Sequence, residues 1–156
     1  MRTIDVQPAA RDLRIAIVVS KYHDFVTDRL QAGSLAALAA AGVTADRITV
    51  VRVPGAFELP SAAQHAAAGG GYDAVVCLGC LIRGETPHFD VIASAVSHGL
   101  TAAAAATGVP VTFGVLTTNS VEEAIARAGD GPDNKGWEAA SAAVEMATVI
   151  AQLRKP

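Results

Sequence analysis

The chain is poor in aromatic residues, charge and cysteine, and each shortage closes off a class of protein. Aromatics make up 4% of the 156 residues (one Trp, two Tyr, four Phe). Stacked platforms for single-stranded nucleic acid therefore have little to be built from. Charged residues are 17%, below the usual share of about a quarter. The formal net charge is −3 with a pI near 5.7, which offers no basic footprint for nucleic acid. Only Cys77 and Cys80 are thiols, so no disulfide framework exists, and no second pair completes a zinc site. The stretch Met1–Arg14 is mixed and polar and reads as no secretory leader. No apolar run approaches the roughly 20 residues of a membrane span. The first strand ends without an acidic pair, which speaks against a receiver-type signalling domain. The expectation is a cytoplasmic protein with no membrane, nucleic-acid, metal or cofactor partner.

What is abundant is small apolar surface: hydrophobic residues reach 51% despite the few aromatics. On a short chain such surface suggests helices that also meet other subunits. Four short apolar runs alternate with helical patterns: Leu13–Ser20, Ile48–Val53, Ala74–Cys80 and Val111–Leu116. Helices are predicted over about 25–41 (capped by Asp24 and ended by Gly42), from the Pro54–Pro60 loop to Gly69, over about 88–106, over 121–128, and from Lys135 to Leu153. Continuously apolar strands joined through helices predict an α/β fold. It is a three-layer α/β/α sandwich with a four-stranded parallel sheet, flavodoxin-like, behind an extended arm over 1–12. Residues 13–156 form one domain. Cys77 and Cys80 lie three apart in one strand, face opposite sides of the sheet, and read as buried structural thiols.

Ligands of such sheets sit beyond the carboxyl ends of the strands. The loops there begin near Tyr22, Ala56, Leu81 and Thr117. The run Leu81-Ile82-Arg83-Gly84-Glu85-Thr86-Pro87-His88-Phe89-Asp90 joins a strand to a helix start, with Thr86 as the predicted cap and Pro87 as the first helical residue. Free amides and the positive helix end make it an anion site, and His88 stands beside it as a proton shuttle. Taken singly, each residue has a plainer role. His88 and Arg127 could be surface residues, Glu58 a first-turn carboxylate, Tyr22 and Phe113 core, Gly84 a turn. An aromatic, a carboxylate, an anion cradle and a base meeting at one sheet edge favour a site. His23, His65 and His98 lack that context and are read as structural.

Three segments together resemble the 6,7-dimethyl-8-ribityllumazine synthase family of riboflavin biosynthesis. They are Val53-Pro54-Gly55-Ala56-Phe57-Glu58-Leu59-Pro60, the Leu81–Asp90 run, and Phe113-Gly114-Val115-Leu116-Thr117-Thr118. Arg127-Ala128-Gly129 and Asn134-Lys135-Gly136 extend the likeness over about residues 13–153. The resemblance implies a cofactor-free condensation of 5-amino-6-(D-ribitylamino)uracil with 3,4-dihydroxy-2-butanone 4-phosphate. Tyr22 would stack on the pyrimidine, Ala56, Phe57 and Glu58 would bind it and its ribityl chain, and Cys80, Leu81 and Ile82 would line its pocket. Phe113 would close the pocket from a neighbouring subunit, and Lys135 would support it. Gly84, Glu85 and Thr86, with Arg127 of the neighbour, would hold the phosphate, and His88 would be catalytic. A homopentamer is implied, with active sites between subunits. The 130–133 loop carries no insertion of the kind found in members that stop at the pentamer, which implies a 60-subunit icosahedral shell with riboflavin synthase as a possible partner. Tyr22 departs from the family's usual Phe or Trp, Glu85 adds a negative charge beside the phosphate loop, and Asp130–Asp133 replaces a basic loop. The runner-up is a non-catalytic module on the same fold that binds flavin or a ribityl ligand, or serves as a shell protein.

Overall fold

The computed structural model describes residues 1–5 and 10–156. The expected arm over 1–12 thus falls partly outside the described residues. From there the chain runs β1 (Ile15–Ser20), α1 (Asp24–Ala40), β2 (Ile48–Val53), α2 (Leu59–Ala68), β3 (Ala74–Ile82), α3 (His88–Thr107), β4 (Val111–Thr118), α4 (Val121–Ala126) and α5 (Lys135–Leu153). The four strands form one sheet in the order β2-β1-β3-β4, and every pairing is parallel. The α/β fold read from the sequence is the one observed.

Every residue of β1 is buried. A β-branched strand covered on both faces suits a central position in a parallel sheet. On one face Ile15, Ile17 and Val19 meet α1 and α5 through Leu30, Leu38, Ala140 and Val144. On the other, Ala16 and Val18 meet α2 and α3 through Leu59, Ala63, Val96 and Leu100. Cys80 belongs to the first core and Cys77 to the second, so the two thiols do face opposite sides. Both are free and buried.

Small residues set how closely the helices approach. A Cβ on Gly136 would run into the Leu30 carbonyl, and one on Gly99 would lie 2.7 Å from Pro60 Cβ. The first contact starts α5 hard against α1, and the Ser34 hydroxyl donates to the Gly136 carbonyl at 2.7 Å across the same seam.

Two helix starts differ from expectation. Helix α1 is capped by His23, held at φ 59°, and Asp24 is its first residue. Helix α3 is capped by Pro87 rather than Thr86, with no side-chain cap bond. The Pro87 carbonyl accepts from the Asp90 and Val91 amides at 3.1 and 3.2 Å. Proline's fixed φ suits either position, so the sequence left the start open by one residue. Helix α3 also amends the expectation about apolar runs: its 20 residues are long and apolar enough, by composition alone, to cross a membrane. Val96, Leu100 and Ala103 are nevertheless buried in the core.

Candidate active site

The strand order reverses beside β1: the chain leaves β1 to one side for β2 and returns past it for β3. Loops leaving the carboxyl ends of β1 and β3 diverge there and open a crevice. The crevice is a cleft of about 470 Å³ lined by residues that follow β1 (Tyr22, His23), β2 (Gly55 to Glu58) and β3 (Cys80 to Ile82, Gly84, Thr86, His88), together with Phe89, Ile92 and Val121. Backbone bonds lock the loops to one another. The Lys21 amide donates to the Val53 carbonyl at 2.8 Å and the Tyr22 amide to the Pro54 carbonyl at 3.2 Å. On the other side, the Arg83 amide donates to the Thr118 carbonyl at 2.9 Å.

Tyr22 and Phe57 are 68% and 59% exposed, so a chain short of aromatics spends two of them on the cleft rather than the core. Glu58 ends a 3-10 turn over Ala56–Glu58. Its carboxylate lies back over Gly55, where a Cβ would come within 3.2 Å of Oε2. The amides of Gly84, Glu85 and Thr86 precede the cap of α3 and make no backbone hydrogen bond among the described residues. Such free donors at a helix start are suited to an anion. His88 opens α3, is exposed, and lines the cleft. Cys80 sits at the floor of the cleft, where burial pushes its thiol up to about 11.

Not every expected site residue lies here. Phe113, Arg127 and Lys135 line a second cavity of about 480 Å³ against β4 and the start of α5. Phe113 is 48% exposed. The Arg127 guanidinium donates to its own helix at the Glu123 carbonyl, 3.0 Å, and Lys135 Nζ lies 2.8 Å from Glu138 Oε2. Glu85 is exposed and lines neither cavity.

His23 was not expected in the site. Its ring meets Tyr22 edge-on at 4.6 Å between centroids and Phe25 at 5.8 Å. Desolvation holds its pKa below the ordinary 6.5. The one available signal was its place directly after Tyr22 at the end of β1, in a tight strand-to-helix turn whose left-handed conformation His, like Asn and Asp, adopts more often than other residues. Among the described residues, no group of three or more His, Cys, Asp and Glu gathers as metal ligands would.

Fold and cleft place the chain among the flavodoxin-like α/β proteins, whose ligands lie at the carboxyl ends of parallel strands. Residues 12–151 match the family model of 6,7-dimethyl-8-ribityllumazine synthase. The chain is 44% identical over 153 residues to the 6,7-dimethyl-8-ribityllumazine synthase of Desulfatibacillum aliphaticivorans, covering 98% of this chain and 99% of that protein. It is 47% identical to the synthase of Chlorobium luteolum (94% of each chain). It is 49% identical to that of Chlorobaculum tepidum (92% and 93%). The chain belongs to the 6,7-dimethyl-8-ribityllumazine synthase family.

Proposed function

We propose that this chain is the transferase that condenses 5-amino-6-(D-ribitylamino)uracil with 3,4-dihydroxy-2-butanone 4-phosphate. The pyrimidine's amine adds to the ketone and loses water to give an imine. Phosphate is then eliminated, and the ribitylamino nitrogen adds to the remaining carbonyl and a second water leaves, closing the ring to the lumazine. The observation that carries the reading is the cleft at the switch point, where exposed aromatics, Glu58, His88 and the free amides of Gly84–Thr86 meet.

In this reading Tyr22 covers the flat pyrimidine, and Ala56, Phe57 and Glu58 hold the ring and ribityl chain. Cys80, Leu81 and Ile82 form the apolar floor. The Gly84–Thr86 amides take the phosphate, with Glu85 turned to solvent. His88 moves the protons of elimination and ring closure.

Phe113, Arg127 and Lys135 stand in the other cavity and complete the cleft of an adjacent copy, Arg127 offering a planar fork to the phosphate. The family resemblance makes that assembly a homopentamer, the unextended 130–133 loop favours a 60-subunit shell, and riboflavin synthase is a candidate partner. The outer face of α3 supports assembly: Val91 is 62% exposed, and Ala95, Ala102, Ala105 and Ala106 are exposed around it. Residues 13–156 act as one domain. The free buried thiols agree with a cytoplasmic setting. No cofactor or metal is needed by this chemistry.

The test is a turnover assay with both substrates, following lumazine absorbance and released phosphate. The two rising together support the proposal. Ligand binding by folded protein without product would overturn it in favour of a binding or shell role.

A further inference from the structure

The Gly84–Thr86 segment is exposed, and among the described residues no backbone bond of its own amides fixes it. A flexible segment is a poor anion cradle, because the ordering cost falls on the ligand. What holds this one is the residue before it. Arg83 reaches from the end of β3 to the first turn of α3. Its two terminal nitrogens donate to the two carboxylate oxygens of Asp90, each at 3.1 Å. Its Nε donates to Asn119 Oδ1 at 3.2 Å, and Cζ lies 4.4 Å from the centre of the Phe89 ring. The guanidinium therefore bridges both ends of the loop with a parallel fork, and stacks on the neighbour of His88.

With Gly84–Thr86 read as the phosphate cradle, as proposed above, we infer that Arg83 is a positioning residue. It clasps the cradle shut through Asp90 and Phe89 and is not itself a phosphate ligand. The charge of the fork is already met by Asp90, so a phosphate bound to Arg83 would have to displace that carboxylate. A pair this exposed, 44% and 59% at the side chains, does little for global stability. Its effect is local: it fixes the spacing between the strand end and the helix start, where the amides and His88 must converge. Lysine cannot replace it, having neither the fork nor the plane.

The experiment titrates inorganic phosphate into the assembled enzyme by calorimetry, beside steady-state kinetics. It compares wild type, Asp90→Asn, Arg83→Lys, Arg83→Ala and the Arg83→Ala/Asp90→Asn double variant. The expected result is a loss of phosphate affinity of roughly five-fold in each single variant. The double variant should be no weaker than either single, since both break one contact. KM for the phosphate substrate should rise with little change in KM for the pyrimidine, and Arg83→Lys should not rescue it. Tighter phosphate binding in Asp90→Asn would overturn the inference, showing Arg83 to be a ligand restrained by its partner. Unchanged binding in Asp90→Asn and Arg83→Lys would overturn the clasp alone. Wild type that takes no phosphate would overturn the cradle and the clasp with it. If Arg83→Ala fails to assemble, the Asp90→Asn and Arg83→Lys comparison decides.

Discussion

The Lys135 amide donates to the Arg127 carbonyl at 2.9 Å, so the two cations of the second cavity arrive there joined at the backbone. Asn134 makes that junction possible. It is 2% exposed, and its Nδ2 donates to the carbonyls of Gly129 at 2.8 Å and Arg29 at 3.1 Å. Its Oδ1 accepts from the Gly136 amide at 2.7 Å and the Trp137 amide at 3.2 Å as the cap of α5.

Asn134→Ala should therefore cost about 2 kcal/mol, a lost cap plus two half-buried carbonyls deprived of a donor. Asn134→Asp keeps the acceptor and loses the two donors, and should fall between. Denaturant midpoints with unchanged slopes check this; an alanine variant as stable as wild type would mean the network contributes nothing.

His88→Ala should lower kcat by roughly ten-fold or more. The side chain is exposed and makes none of the side-chain hydrogen bonds that brace the loop, so stability and assembly size should hold. A broken assembly with intact chemical steps would make the residue structural.

Arg127→Ala should raise KM for the phosphate substrate about ten-fold, with a smaller rise in Arg127→Lys, because a point charge keeps attraction but not the fork. Mixing Arg127→Ala with His88→Ala chains should recover activity if sites are shared between copies. No recovery in mixed assemblies would place both residues in one chain's site.

His23 sits at φ 59° and ψ 48°, and a bulky residue held there is strained by about 1 kcal/mol or more. His23→Gly or His23→Asn should be neutral or stabilising, and His23→Val clearly destabilising. Desolvation lowers the folded pKa, so the unfolded state takes the proton first and this residue's contribution to stability falls as pH drops below about 6.5. A midpoint in His23→Asn that tracks wild type across that range would remove the residue from the pH response.

Burial raises the pKa of both thiols, Cys80 to about 11 from 9.0. Neither should react with thiol reagents at neutral pH until the chain is unfolded. Above pH 9 the unfolded chain loses these protons first, so their contribution to stability should decline as pH rises toward 11. Rapid labelling of the native protein would contradict this.

Strand β2 and helix α5 have the bounds their sequences announce, because apolar runs and flanking breakers are local signals. The helix starts at His23 and Pro87 were displaced by one residue, since a cap depends on backbone angles that a neighbouring residue can adopt without any side-chain bond. The gathering of Glu58, Gly84 and His88 in one cleft was legible as loops at one sheet edge. The contacts of Arg83 and Asn134 were not, because they depend on where α3 and α5 settle against the sheet.

The bond between Lys135 and Arg127 closes a ring of chain whose outer rim, Gly129 to Asp133, is exposed. An insertion beyond Gly129 can leave the root in place, because the Asn134 side chain on the Gly129 carbonyl and the Lys135 amide on the Arg127 carbonyl anchor it. The outer surface of the molecule can thus diverge in length and charge while the two cations keep their address, and what the exterior meets is free to change independently of what the interior converts.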